Sequence, residues 1–429
     1  VNTAQRIDSS YYLRNLLRFL SEIDWWLILA TSLLVVVGLS TLRFTGAGVY
    51  DKQLAYMWVG VIACLIFWRA PYIIWTHRLV IPVIWGVNLA LLLAVMLKGH
   101  SALGAQRWLA IGPITLQPSE LAKLVIIFSL AAWLKSHPIK GFFDTFKALA
   151  IIVPPAILVF KQPDLGTSLT FGAVFLGMCF WSGSTVLDIL VLLSPIVSLI
   201  MHALNTHWWL IWLGILACVL FFFWRKHNWR FPMRTVIIAA IVAMNFGCGL
   251  AQPHFWGLLK EYQQKRLTSF LNPYDDPRGS GYHILQSLIA IGSGGLNGLG
   301  LGHGNQSQGA FIPERQTDFV FAVVGEELGF KVTTLVVLAY CIICIRALII
   351  AYQAREEPAG SLIAIGIMSM FLFHVFLNIG MTMGIMPVAG VPLPFLSYGG
   401  TAMVVDLVAI GLLQSIRFYN PPPRQDVWR

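Results

Sequence analysis

Solidly apolar runs separated by short polar stretches make up most of the chain, without the period-two alternation of a transmembrane barrel strand. Apolar runs of about 18–20 residues match the hydrocarbon core of a bilayer, and their repetition predicts an all-α, polytopic membrane fold. By that length rule about twelve spans are legible. They centre on Trp26–Leu42, Leu54–Trp68, Leu79–Leu97, Leu121–Leu134, Ala148–Phe160, Leu165–Trp181, Leu187–Ala203, Trp208–Trp224, Thr235–Leu250, Phe319–Ile345, Leu362–Met381 and Ala402–Phe418. The run at Leu187–Ala203 is the least regular, since it contains Asp188 and Pro195. Residues 1–429 read as one transmembrane domain, and the stretch 251–318 reads as a large loop outside the membrane. A loop of that length points to function rather than connection.

Composition narrows the class further. The 429 residues are 57% hydrophobic and 11% charged, with a mean hydropathy of +0.74, whereas an ordinary soluble domain carries about 25% charged residues. A soluble multidomain enzyme, a disordered protein and a disulfide scaffold are excluded. Cys64, Cys179, Cys218, Cys248, Cys341 and Cys344 all lie in apolar runs and read as packing residues. Arg6, Arg14 and Arg18 precede the first run by a polar stretch, which predicts no signal peptide.

The net charge of +10 suits a membrane protein whose Lys and Arg fix cytoplasmic loops better than it suits a nucleic-acid binder. With the N-terminus inside, the inner side holds Arg69, Arg78, Lys135, Lys140, Lys147, Arg225, Lys226, Arg230, Arg234, Arg346, Arg355, Arg417, Arg424 and Arg429. Both termini are therefore expected in the cytoplasm. A second set, Lys98, Arg107, Lys161, Lys260, Lys265, Arg266, Arg278 and Arg315, falls outside, where sidedness does not explain it.

Several polar stretches at the outer ends of the spans could carry chemistry. Lys265 and Arg266 precede Asp275 and Asp276, which are flanked by Pro273 and Pro277. A stiff turn would present Asp276, and a carboxylate among cations suits a general base beside an anionic substrate. A plain turn with surface ion pairs explains the same residues. Glu120 and Lys123 stand at i and i+3 at the start of a span, either as a structural ion pair or facing a cavity. Asp164 and Asp318 both precede spans, where helix N-capping is the leading reading. Glu326 and Glu327 lie too deep in their span for a cap, and Asp406 has no evident partner. The seven glycines between Gly292 and Gly304 lack a βαβ context, so they predict a flexible or re-entrant loop rather than a nucleotide site. Acids and cations meeting above a helical bundle suit an anionic headgroup on a lipid, whose tail lies between helices.

Seven stretches carry a resemblance. They are Gly104-Ala-Gln-Arg107-Trp108, Gln117-Pro-Ser-Glu120-Leu-Ala-Lys123, Gln162-Pro-Asp164-Leu-Gly-Thr-Ser168, Asn272-Pro-Tyr-Asp-Asp276-Pro-Arg-Gly-Ser-Gly-Tyr282-His, Pro313-Glu314-Arg315-Gln-Thr-Asp318-Phe, Asn378-Ile-Gly380 and Gly390-Val-Pro-Leu-Pro394-Phe-Leu-Ser397-Tyr-Gly-Gly400. In order and spread they resemble the SEDS family of bacterial cell-wall glycosyltransferases. Arg315 after Pro-Glu resembles the family's elongation branch more than its division branch. Two departures stand out. The family usually has ten spans, and residues 183–230 here read as an inserted helix pair; Asp406 matches no acid of the family.

The resemblance implies polymerisation of lipid II into glycan strands at the cytoplasmic (inner) membrane during cell elongation. It makes Asp276 the catalytic candidate, taking the proton of the acceptor 4-hydroxyl while undecaprenyl pyrophosphate leaves with inversion. Arg107, Glu120, Lys123, Asp164, Lys265, Arg266, Arg315 and Asp318 are the candidate substrate-binding residues. No ligand cluster demands a metal, although a divalent cation (Mg or Mn) suits the pyrophosphate. The expected partners are lipid II, a class B penicillin-binding protein transpeptidase, elongation-complex membrane proteins and membrane lipid, with no nucleic acid. The rival from another class is a lipid II flippase, which would lean on Asp188 and Asp406. A non-catalytic scaffold leaves the outer cations unexplained.

Overall fold

A computed structural model describes residues 22–46, 48–98, 100–102, 105–111, 114–226, 231–258, 264, 281–309 and 311–420. Every predicted apolar run falls on a long helix. These are α1 (Trp25–Leu42), α2 (Val49–Arg69), α3 (Val80–Lys98), α4 (Pro118–Ser136), α5 (Phe142–Lys161) and α6 (Leu165–Trp181). They continue with α7 (Val186–Leu204), α8 (Thr206–Lys226) and α9 (Phe231–Leu250). Three short helices follow, α10 (Gln252–Leu258), α11 (Tyr282–Ser293) and α12 (Asn305–Gln308), before α13 (Val320–Gln353), α14 (Pro358–Thr382) and α15 (Gly400–Tyr419). Among the described residues, eight helices are long and apolar enough to cross a membrane, and the chain is a multi-pass membrane protein. Three short antiparallel strands, His100–Ala102, Ala105–Ile111 and Ile114–Leu116, join α3 to α4; the apolar pattern gave no sign of them.

Local chemistry sets the helix starts. The Asp24 carboxylate caps α1 by accepting Leu27 N at 3.4 Å. Pro118 and Pro358 occupy the first positions of α4 and α14, where a missing N–H loses nothing. Asp188, the irregular acid of its run, completes a capping box: the Thr185 hydroxyl and amide donate to its Oδ2 at 2.7 and 3.0 Å. It is therefore a helix-start residue and not a charge within a pathway.

The core is formed by α1, α4, α6, α13, α14 and α15, while α2 and α3 expose most of their surface, as lipid-facing helices do. Helix α2 packs closely on α15 because Gly411 lets it in: a Cβ there would fall 2.4 Å from Cys64 O. Residues 183–230, read as an added pair, carry α7 and α8, which with α9 form a smaller cluster around Phe142, Val191, Leu216, Leu220, Ile237 and Ile241.

One end of the bundle is locked by Asp24. Its carboxylate pairs with Arg346 at 2.6 Å and Arg417 at 2.7 Å, joining α1, α13 and α15. Arg346, two turns before the end of α13, and Arg417, in the last turn of α15, are thus partners of a buried acid as well as charges expected at the inner side.

Candidate functional site

The family-like stretches that the structure describes meet at the end of the bundle opposite Asp24. There α4 and α6 start side by side, and one anion serves both. Asp164 Oδ2 accepts the Ser119 hydroxyl at 3.1 Å, the Thr167 hydroxyl at 3.0 Å and the Gln117 amide at 3.4 Å. Its Oδ1 accepts Thr167 N at 3.3 Å, which is the expected N-cap. Arg107, on the second strand, donates to the carbonyls of Gln162 and Pro163, so it clasps the end of α5 beside that cap.

Two re-entrant turns complete this end. Ser397 Oγ donates to Thr317 O at 2.5 Å, and Tyr398 N donates to Gln316 O at 2.7 Å. Asn378 Nδ2 bridges Asp318 O at 3.0 Å and Val391 O at 2.7 Å. Gln53 donates to Ser397 O and accepts Gly399 N, and Thr401 ties α15 to Thr115 and Gln117. Burial holds the Tyr398 phenol above its ordinary range, with Tyr56 adding to the shift, so it stays a neutral donor. Asn378 and Ser397 stand in the family-like stretches without being named there as site residues, and Gln53 and Thr401, just outside the apolar runs that follow them, were not singled out.

Glu120 and Lys123 form an ion pair at 2.6 Å with both side chains almost fully buried. His374 of α14 and Asp406 of α15 lie within electrostatic reach of this pair. Two charges withdrawn from water require such mutual compensation. The pair sits one turn beneath the Asp164 cap rather than on the surface.

Asp318 departs from expectation. The cap position of α13 is Phe319, with no side-chain capping bond. Turns from Glu314 run directly into the helix, its carbonyl accepting Thr317 N and Asp318 N at 3.1 Å each, so Asp318 falls one residue short of the cap. Arg315 Nη2 donates to Thr45 O at 2.7 Å, while its buried Nη1 has no hydrogen-bond partner among the described residues.

Within 251–318 the glycine-rich segment turns into the bundle and approaches another helix. Gly329 breaks α13 with φ +77. The opened backbone is stitched to the segment by Leu299 N→Glu326 O at 3.0 Å, Gly300 N→Glu327 O at 2.9 Å, Phe330 N→Gly295 O at 2.9 Å and Lys331 N→Leu296 O at 3.2 Å. A Cβ on Gly298 would fall 2.2 Å from Glu327 O, which explains the glycine there. Glu326 and Glu327 hold the same segment: Glu326 accepts Gln306 N and Ser307 N at 2.7 and 2.8 Å, and Glu327 accepts the Ser307 hydroxyl at 2.9 Å.

The candidates Asp276, Lys265 and Arg266 lie outside the described residues. Among the described residues no three His, Cys, Asp or Glu side chains are grouped as ligands of a metal ion.

The family model of the FtsW, RodA and SpoVE cell-cycle proteins matches residues 18–212 and 210–421. The chain belongs to this family, the SEDS proteins. It is 35% identical over 378 residues to the peptidoglycan glycosyltransferase MrdB of Escherichia coli (strain K12), covering 87% of this chain and 86% of that one. It is 33% identical over 434 residues to the peptidoglycan glycosyltransferase RodA of Treponema pallidum, covering 93% and 98%. A chain of a solved peptidoglycan synthase complex that coordinates polymerization and crosslinking superposes with a TM-score of 0.68 at 26% identity, over 93% of this chain and 98% of that one. As a SEDS protein the chain keeps the family's helical fold over nearly its whole length.

Proposed function

We propose that this SEDS protein polymerises lipid II into glycan strands, with Asp276 as the general base. Relatives matched over most of their length are named peptidoglycan glycosyltransferases, and the chain is a glycosyltransferase of their kind. The observation that carries the reading is the convergence, at one end of the bundle, of Arg107, the start of α4, the Asp164 cap and the loops 314–318 and 390–399. Gly281 stands five residues after Asp276 in the sequence, and α11, which it precedes, packs along α13.

In the reaction the Asp276 carboxylate takes the proton of the acceptor 4-hydroxyl, whose oxygen attacks the anomeric carbon of the donor. The bond from that carbon to the pyrophosphate oxygen breaks, its electron pair leaves with undecaprenyl pyrophosphate, and the centre inverts. Charge growing on the leaving group calls for cations already in position. Arg107, Lys123, Lys265, Arg266 and Arg315 are the candidates, and the unpartnered Nη1 of Arg315 supports its part. Glu120 and Asp164 act on the substrate side by orienting Lys123 and the heads of α4 and α6, and Asp318 anchors the loop that carries Arg315. A divalent cation, Mg or Mn, bound with the pyrophosphate would supply further positive charge there.

The same reading puts the protein in the bacterial cytoplasmic membrane, with both termini and the Asp24 end inside. A class B penicillin-binding protein transpeptidase and other elongation-complex membrane proteins are its partners. Likeness to a chain of a complex coordinating polymerization and crosslinking supports the first. The flippase alternative draws on buried Glu120, Lys123 and Asp406, but the capping role of Asp188 takes one acid from it. Purified protein given lipid II should yield glycan polymer, and Asp276→Asn should abolish it; full activity in that variant would end the assignment.

A further inference from the structure

Helices α7, α8 and α9 are fastened together at the end away from Asp24 and part toward the other. Trp209 of α8 lies against α9, where a Cβ on Gly249 would fall 2.4 Å from its ring. Trp209 Nε1 donates to Ser198 Oγ at 2.8 Å, Ser198 Oγ donates to Asn245 O at 2.8 Å, and Asn245 Nδ2 donates to Ser194 Oγ at 2.8 Å. Polar side chains that bond across helices in this way are a common glue inside membranes.

Below this network α7 packs along both α8 and α9, but those two touch each other only lightly. A cavity of about 420 Å³ separates them. Its walls follow helical spacing, with Leu213, Leu216, Leu220 and Trp224 on α8 facing Ile238 and Val242 on α9. Facing apolar stripes with a gap between them forgo the contacts of a packed seam. Every lining residue is apolar or aromatic, which makes the gap a poor site for water. From Leu213 to Trp224 α8 rises about 16 Å, about one leaflet of a hydrocarbon core roughly 30 Å thick.

The mouth of the cavity toward the Asp24 end is cationic. The Arg225 guanidinium lies over the Phe221 ring at 5.8 Å, and Phe221 lines the wall. In the sequence the stretch 225–234 holds Arg225, Lys226, Arg230 and Arg234 and no acid. Asp188 of α7 and Asp144 of α5 belong to the same end, but both are engaged. Asp188 accepts the Thr185 hydroxyl and amide in its capping box, and Asp144 pairs with Lys147 at 2.9 Å.

We propose that the gap between α8 and α9 binds one anionic phospholipid from the leaflet at the Asp24 end, with an acyl tail along the apolar walls and the phosphate on Arg225. The tail supplies the contacts that the two helices do not make with each other, and a basic membrane face attracts anionic headgroups. The site lies at the opposite end of the bundle from the Asp164 rim, so it stands independently of the glycosyltransferase reading.

The test titrates delipidated full-length protein with dioleoyl phosphatidylglycerol or dioleoyl phosphatidylcholine. Native mass spectrometry reads the first bound lipid, and thermal unfolding in the same detergent reads its effect on stability. Phosphatidylglycerol should bind roughly ten-fold more tightly than phosphatidylcholine and raise the melting temperature. Ala217→Trp, which fills the gap from an exposed lining position of α8, should abolish that binding and that rise. Arg225→Gln should bring the two lipids within about two-fold of each other. Equal affinities in the wild type, undiminished phosphatidylglycerol binding in Ala217→Trp, or a preference that survives Arg225→Gln each overturn the proposal. Displacement of phosphatidylglycerol by lipid II gives the gap to the substrate, and displacement on dimerisation gives it to a second copy; either overturns the proposal too. Should Ala217→Trp not fold, the exposed substitution Arg225→Gln decides the matter by itself.

Discussion

The Ser119 hydroxyl donates to the Asp164 carboxylate at 3.1 Å, so the first turn of α4 and the cap of α6 share one buried anion. This contact fixes the relative height of two helix starts, and the clasp of Arg107 on Gln162 O lies beside it. Two stretches distant in sequence are thereby held as one rim.

Asp164→Ala should lower stability by about 2 kcal/mol, the loss of an N-cap together with a charge-assisted hydrogen bond. Asp164→Asn, which still caps, should lose less than half as much. Thermal unfolding of the purified variants in one detergent decides it, and equal melting temperatures for Asp164→Ala and wild type would contradict the shared-anion account.

Lys123→Met strands the Glu120 carboxylate in the bundle, where its partner now stands at 2.6 Å. Breaking one side of a buried pair costs about 3–5 kcal/mol. The double variant Glu120→Gln, Lys123→Met should recover most of that stability. If Lys123 also meets the pyrophosphate, the double variant will fold and still make little polymer; recovery of polymer along with stability would reduce the pair to a structural role.

How much of this was legible in the sequence depends on range. Each long helix was visible because a bilayer demands solid apolar runs, and the cap at Asp164 was visible because a cap is local. The cap at Asp318 was misread for the complementary reason: whether a preceding turn continues into a helix depends on Glu314 O, four residues back, and not on the acid itself. Asp406 has no evident partner in the sequence, and in the structure its buried Oδ1 has no hydrogen-bond partner among the described residues. Asp24 was hidden as well, since its arginines come from helices more than three hundred residues away in the chain.

The junction of the glycine-rich segment with α13 offers a third prediction. Gly298 has φ +78 and backbone of Glu327 where a Cβ would stand. Gly298→Ala should cost more than the roughly 1–3 kcal/mol of left-handed strain alone, because the stitch to Glu326 and Glu327 must also open. Faster hydrogen exchange across 294–304 would register it; unaltered protection there would show that the segment is held by other means.

At the opposite end, Asp24→Ala leaves Arg346 and Arg417 without their common acid. Stability should fall by about 3–5 kcal/mol, while polymerisation by the protein still folded at low temperature should keep its kcat, because the lock lies far from the proposed site. A kcat that falls in step with the melting temperature would instead tie this end to the chemistry.

Polymerisation rather than transport is the central claim, and one vesicle experiment addresses it. The protein is reconstituted into liposomes with labelled lipid II, and glycan polymer and the transbilayer distribution of the label are followed together. The account predicts polymer that forms with wild type, vanishes with Asp276→Asn, and needs no transfer of label across the bilayer. Label crossing the bilayer without polymer, at equal rates in wild type and Asp276→Asn, would contradict it.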